Sequence, residues 1–351
     1  MKGIPNLLKD SLNYVMQKRY HLIQSSLAKK ALLCIEEKKG PTNAELLTRC
    51  EEYAKDVLGW GGYAPWLKVY TAFNTEFKEG WIPDNYYGAV VVPKIQGGYG
   101  KLSNLKFFTN GLFKTDCFPD LLYHINGRWL MPNGELIALR QVLKYLFKDH
   151  EKVVFKKDHS LQGLGIKIFN TSALNEDMLS SFENGVFQSY MHQHNFFDQF
   201  NSKAVATLRI TTAINKLGIS SLKDTYLRLG NPKDAYVIAD SQIKIPINKK
   251  TGQLSELGYV HGWQPISKIE SNAMLFKGLI VPHYQEAVEV CLQLHERCKY
   301  LECIGWDVTI DFEGSVKILE WNGYHNDIKF SEAVNGPCFT DLGWENLWKS
   351  G

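Results

Sequence analysis

A chain of 351 residues with 44% hydrophobic and 13% aromatic side chains is long enough for two or three domains and apolar enough for a real core, which excludes a disordered protein. Its formal net charge of +3 is too small for a protein that binds nucleic acid by neutralising phosphates. No apolar run approaches the roughly 20 residues that span a bilayer, so no transmembrane segment is expected. The start, Met1-Lys2-Gly3-Ile4-Pro5, leads into mixed polar sequence without a secretory apolar region. Cysteines 34, 50, 117, 291, 298, 303 and 338 form no Cys-x-x-Cys pair, and the spacing of the last cluster fits no common zinc pattern. Scattered, odd-numbered cysteines suit a reducing compartment, so the chain reads as a cytoplasmic soluble protein.

In chain order, Leu8, Leu12, Val15, Met16, Ile23, Leu27 and Leu32 recur at helical spacing and predict a helix over 6–38, ended by Gly40-Pro41. Residues 1–39 carry eight Lys/Arg against three Asp/Glu. Such a helix either lies on an anionic membrane or packs on its own domain with a solvated charged face. Thr42 followed by Glu45 resembles a capping box, predicting a second helix to about Leu58. Residues 59–100, rich in Gly and aromatics, read as irregular structure with a strand at Ala89–Val92. Trp60, Trp66 and Trp81 suit either a core or stacking on sugar rings. Gly97-Gly98-Tyr99-Gly100-Lys101 lacks phosphate-loop spacing and reads as a turn. A helix over Glu135–Leu146 precedes strands Val153–Lys156, Ile166–Phe169, Val186–Tyr190 and Ala204–Ile214. Residues 215–265 are polar, with short strands, and Pro282 opens a helix reaching about Tyr300.

The segment Gly305–Gly323 reads as two apolar strands joined at Glu313-Gly314. With a two-residue link, Phe312 pairs with Ser315 and Asp307 lies opposite Glu320. Asn322 points to the same face two residues on. Facing carboxylates repel. A divalent cation between them removes the conflict, and Asp307, Glu320 and Asn322 are the hard oxygen ligands that Mg²⁺ prefers. The plain alternative is an exposed hairpin with its charges in water.

A cation site is useful if something anionic sits on it. Lys156 ends a buried strand and offers a point charge to phosphate; Gly163 and Gly165 in the following loop let backbone N–H groups approach phosphate oxygens. A surface hairpin explains this loop as well. The strand ending Gln188-Ser189-Tyr190 is placed to present a backbone edge to adenine. Arg209, alone among apolar residues of its strand, needs an anion or a structural ion pair.

The order of these segments resembles the ATP-grasp superfamily, most closely its sugar-transfer-associated branch, related to glutamate ligases. The resemblance covers about residues 80–340. It rests on Leu105-Lys106-Phe107-Phe108, Val153 to Gly165, Val186 to His194, Ala206 to Thr212, and Gly305-Trp306-Asp307 to Glu320-Trp321-Asn322-Gly323. It implies an α+β ATP-grasp fold in which two α+β subdomains clamp ATP behind a helical N-terminal region. The implied domains are residues 1–100 and 101–351, with a nucleotide lid at about 150–215 and a metal-binding subdomain at 270–340. By the same resemblance Asp307, Glu320 and Asn322 hold the Mg²⁺ of ATP. Lys106 and Lys156 are the phosphate lysines, Gln188, Ser189 and Tyr190 the adenine hinge, and Arg209 the residue that steadies the transferred phosphate.

The implied reaction is ATP-dependent carboxylate–amine ligation through an acyl-phosphate. Its substrates are a small carboxylate and an amine, with a nucleotide- or lipid-linked sugar among the candidates. An ATP-grasp kinase acting on a sugar or polyol hydroxyl is the alternative. Three departures from the family pattern stand out. Lys157 replaces the usual Pro. Asn231-Pro232-Lys233-Asp234-Ala235-Tyr236 replaces an Asp-Asn…Gly-Gly stretch near the acceptor. No ribose partner is obvious, with His194 and Asp198 as candidates. His159 and His325 are further candidates for phosphate and acceptor contact.

Overall fold

A computed structural model describes residues 6–160, 165–200, 202, 204–230, 242–269 and 273–349, without the side chains of 6–10 and 12. Gly163 and the 231–236 stretch lie outside the described residues. The chain forms two units. The first contains 1–97, 262–264 and 327–351; the second contains 98–261 and 265–326.

In the first unit the helical spacing does produce one long helix, α1 (Asn6–Lys39). Helix α2 (Ala44–Asp56) starts one residue later than the Thr42 box implies. Its N-cap is Asn43, whose Oδ1 accepts the Glu45 N–H at 2.8 Å, while the Thr42 N–H goes back to Glu36 Oε1 at 3.0 Å. Asn in extended backbone satisfies the first turn at least as well as Thr, so the nearer residue takes the role. Helix α3 (Ala64–Asn74) packs on both, and Trp66 donates to Gln24 Oε1 at 2.9 Å.

The strand expected at Ala89–Val92 is helical. Asp84–Tyr86, a π-helical turn at Tyr87–Val91 and Val92–Ile95 form one continuous run. Tyr86, Tyr87, Val91 and Val92 are fully buried there. Burial decides over the β preference of the valines, and the wider turn precedes Pro93, which has no N–H to donate. The remaining piece of this unit closes on a buried acid. Glu332 accepts the Ile82 and Cys338 N–H groups, both at 2.7 Å, and its carbonyl takes Trp81 Nε1 at 2.9 Å. Trp66 and Trp81 are thus core residues and Trp60 is exposed.

The second unit is built on two antiparallel sheets. The first has β1 (Asp120–Ile125), β2 (Arg128–Leu130), β3 (Leu136–Ile137), β4 (Lys152–Lys157), β5 (Ile166–Asn170) and β6 (Gly185–Ser189), in the order β3-β2-β1-β6-β4-β5. The expected helix starts late, as α4 (Leu139–Leu146), because Leu136 and Ile137 pair with β2. The second sheet has β7 (Thr207–Ile214), β8 (Ser220–Leu229), β9 (Ile243–Pro246), β10 (Gly258–Val260), β11 (Gln264–Ile266), β12 (Cys303–Ile310) and β13 (Val316–Asn322). Its order is β11-β10-β9-β8-β7-β12-β13. Every residue of β7 and β12 is buried; the two strands lie side by side, with β13 as the edge beyond β12.

Helix α5 (Tyr284–His295) covers one face of the second sheet, burying Ala287, Cys291 and Leu294 with Leu208, Ile304 and Val308. Pro282 is not its first residue: His283 intervenes with φ of +53°. His295 is fully buried, shares a 2.7 Å hydrogen bond with Thr212 and meets the Leu301 carbonyl at 2.7 Å. Burial pushes its pKa down from the usual 6.5 to about 4. The unfolded chain therefore binds this proton first. The stabilisation is complete above pH 6.5 and lost as pH falls from 6.5 towards 4, amounting to about 3 kcal/mol by linkage. Urea unfolding at neutral and acid pH should show a drop of that size that His295→Gln lacks.

Candidate functional site

The hairpin of β12 and β13 carries the acidic residues, and its geometry differs from the expectation in two compensating ways. The link is three residues, Phe312–Gly314, not two. The Asp311 N–H meets the Ser315 carbonyl at 3.0 Å, so Phe312 and Ser315 do not pair. Asp311 Oδ1 ties the turn by accepting the Glu313 and Ser315 N–H groups at 3.0 and 2.8 Å. This moves the register by one, with Ile310 facing Val316 and Val308 facing Ile318. A bulge at Leu319 then restores it, and Asp307 does lie opposite Glu320, with Gly305 opposite Asn322. The bulge has a use. It turns the Leu319 carbonyl out of the ladder to accept Lys156 Nζ at 2.8 Å and Gln188 Nε2 at 3.4 Å.

Cations of the protein itself separate the facing carboxylates. Arg209 Nε donates to Asp307 Oδ1 at 2.7 Å and its Nη2 to Oδ2 at 3.3 Å, while Arg228 Nη2 reaches Oδ2 at 2.7 Å. Glu320 Oε1 meets Lys106 Nζ at 2.5 Å. Burial would raise the Asp307 carboxyl, but the charges of Arg209 and Arg228 outweigh it and hold the group below the usual carboxylate range. Lys156 sits on β4 between β5 and β6, and burial brings its pKa down from 10.5 to about 8. Glu320 holds it up in part and Lys106 lowers it further. Four cations thus gather around Asp307 and Glu320, with Asp120 as a third acid near Lys106 and Lys156, which leaves a smaller surplus of positive charge on which an anion can sit.

Lys106, Phe118, Asp120, Gln188 and Glu320 help line a small cavity that opens to solvent. Asp120 and Arg228 are functional candidates that sequence reasoning missed. Asp120 accepts Gln188 Nε2 at 2.7 Å and the Tyr123 hydroxyl at 2.6 Å, and burial raises its carboxyl. Arg228 carried the same signal as Arg209, a charge at an inward strand position beside apolar neighbours. Of the expected hinge, Gln188 faces the cavity. The backbone N–H groups of Ser189 and Tyr190 are already bonded, to Pro119 and Lys152 carbonyls at 2.9 and 3.4 Å. Among the described residues, Met191 is the first after them whose N–H has no partner, which moves the available edge one step along the chain.

Gly165 is glycine for a local reason: a Cβ there would lie 2.5 Å from Ser160 Cβ. Lys157 pairs with Glu183. The candidate histidines and Asp198 stand apart from the cavity lining. His194 donates its N–H to the Ile310 carbonyl at 3.0 Å, and Asp198 is exposed on the turn Asn195–Phe200. His159 donates its N–H to Asn104 at 2.9 Å, and His325 is half-buried.

Glu320 and Asn322 suit Mg²⁺. Among the described residues Glu320 Oε2 and Asn322 Oδ1 have no hydrogen bond, and the Asn322 amide is oriented by donating to Gly305 at 3.3 Å. Asp307 has both oxygens taken by arginines, so it joins them only by releasing one. No group of three or more His, Cys, Asp or Glu able to hold a metal occurs among the described residues; this set has two carboxylates and an amide.

Residues 177–343 match the family model described as sugar-transfer associated ATP-grasp. No curated protein matches the chain. Among solved structures, the biotin carboxylase domain of 2-oxoglutarate carboxylase from Hydrogenobacter thermophilus is 11% identical over 72% of this chain and 46% of that one, with a TM-score of 0.41. Biotin carboxylase from Campylobacter jejuni is 10% identical over 91% of this chain and 68% of that one, at 0.45. An L-amino acid ligase from Bacillus licheniformis is 10% identical over 76% of this chain and 53% of that one, at 0.42. The chain thus spans about half the length of the first and third of these structures. Likeness of this degree says nothing of substrate. The family match, over nearly half of the chain, bears out the ATP-grasp resemblance, and the fold is α+β with a helical N-terminal region.

Proposed function

We propose that this chain is an ATP-dependent carboxylate–amine ligase acting through an acyl-phosphate. The observation that carries the reading is the meeting of Lys106, Lys156, Arg209 and Arg228 around Glu320 and Asp307. Lys106 and Lys156 hold the phosphates of ATP, Met191 offers its N–H to adenine, and Gln188 links the cavity walls. Glu320 and Asn322 would hold Mg²⁺, with Asp307 joining on release of an arginine. When bound there, the ion supplies neutralising charge to the phosphates. A substrate carboxylate oxygen attacks the γ-phosphorus and ADP leaves. The amine nitrogen then attacks the acyl carbon, phosphate departs and the amine gives up a proton. Arg209 and Arg228 steady the anionic groups as charge builds on them, which is where most of the catalysis lies.

The family description supports a sugar or its precursor as one partner, coupled to an amino acid or amine. All seven cysteines are free, which supports a reducing, cytoplasmic setting. No described helix is long and apolar enough to cross a membrane. The lid is assigned to about 150–215 and the metal-binding part to 270–340.

The test is ADP release with uronic acids and amino acids supplied in pairs. Release that requires both partners is expected. A stable phospho-product formed without an amine would instead mark a kinase. Glu320→Ala should lower ADP formation at least about 100-fold. Because it also leaves the buried Lys106 ammonium without its carboxylate, the loss is read per folded protein, with circular dichroism and thermal unfolding measured alongside. Undiminished ADP formation would remove Glu320 from the site.

A further inference from the structure

Beyond the site, the outward side of α1 stands without an explanation. From Tyr20 onward the helix packs by one face only, through His21, Gln24, Ala28 and Ile35. The opposite face carries Val15, Leu22 and Leu33, which are 59%, 64% and 60% exposed. Steps of 7 and 11 residues return to nearly the same direction on a helix, so the three form one line about 27 Å long. Met16, Ile23 and Leu27, also exposed, form a second apolar line about 100° further round, with the exposed Arg19 and Lys30 between the two lines. Apolar side chains thus lie on both the packed and the outward sides.

Charge identifies what covers this face. Lys18, Arg19, Lys29 and Lys30 are exposed along it, and no Asp or Glu occurs between Asp10 and Glu36. A second copy of the helix would bring only positive charge against positive charge over this stretch. An anionic lipid surface accepts both features: the apolar line enters the headgroup boundary while the long basic side chains reach the phosphates. We infer that α1 docks this chain on anionic membranes through the Val15–Leu22–Leu33 line.

Sedimentation with vesicles tests this without nucleotide, so its outcome is independent of the ligase reading. The full chain should sediment with phosphatidylcholine–phosphatidylglycerol vesicles, fail to sediment with phosphatidylcholine alone, and be released by high salt. Arg19→Gln with Lys30→Gln should weaken binding about 25-fold, roughly fivefold for each charge. Leu22→Ser with Ile23→Ser should weaken it further at unchanged helical circular dichroism, since neither residue packs on the body. Absence of binding to anionic vesicles at low salt overturns the inference. So does binding that both pairs of substitutions leave unchanged. A dimer in sedimentation velocity that Leu22→Ser with Ile23→Ser dissolves also overturns it, because the face would then belong to a second copy.

Discussion

Asp307→Ala should destabilise the protein by about 3–5 kcal/mol even with no nucleotide or metal present. The carboxylate lies between two guanidinium groups, and the side chains of Arg209 and Arg228 are only 8% and 15% exposed. Truncation leaves two buried cations facing each other with no acid between them, and mutual repulsion adds to the lost desolvation compensation. Equilibrium unfolding in chelator measures the loss. A pure metal ligand would show the opposite: little change in chelator, and a deficit only when Mg²⁺ is added. Asp307→Leu with both arginines changed to Met should recover most of the stability while leaving ADP formation at background, which separates the structural role of the ion pair from its role in phosphate transfer. The carboxyl is held below the usual range, so its contribution is present at neutral pH and is lost only as pH falls through that lowered value. Unchanged stability of Asp307→Ala would mean that the two arginines find other partners and that this pair is not the centre of the site.

The strands that build the site were legible where their composition was extreme. β4, β6 and β7 are short runs of β-branched and aromatic residues bounded by polar turns, and no tertiary knowledge is needed to place Lys156 or Arg209 on them. The β1–β2 hairpin was just as legible in Asn126-Gly127, whose φ values of +51° and +76° suit a tight two-residue turn, yet it went unread. With it went Asp120. The Val90-Val91-Val92 run misled because its helical state depends on burial in the first unit, which no local signal reports. The facing of Asp307 and Glu320 was expected for a partly wrong reason. A three-residue turn and a bulge cancel in the register, and bulges have no reliable local signature. Contacts such as Lys156 to the Leu319 carbonyl depend on that bulge and on the meeting of two sheets, so they appear only in the folded chain.

Lys156 gives the largest effect on chemistry and a pH profile to recognise it by. Its ammonium is buried, which pushes the pKa down to about 8, so the free protein begins to lose this charge just above neutral pH. Phosphate oxygens bind the protonated form. Affinity for ATP should therefore be full below pH 8, and kcat/KM for ATP should fall about tenfold per pH unit above it. Bound phosphate stabilises the charge, so the limb in kcat should lie at higher pH. Lys156→Arg keeps its charge throughout this range and should lose the alkaline limb, at some cost in rate because the planar guanidinium does not fit a point-charge position. Lys156→Met should lower ADP formation about 10²–10³-fold. Glu320→Gln removes the acid that holds the lysine pKa up, so it should move the limb to lower pH. A wild-type profile that stays flat above pH 8, or one identical in Lys156→Arg, would show that this lysine is not the phosphate cation and would shift that role to Lys106.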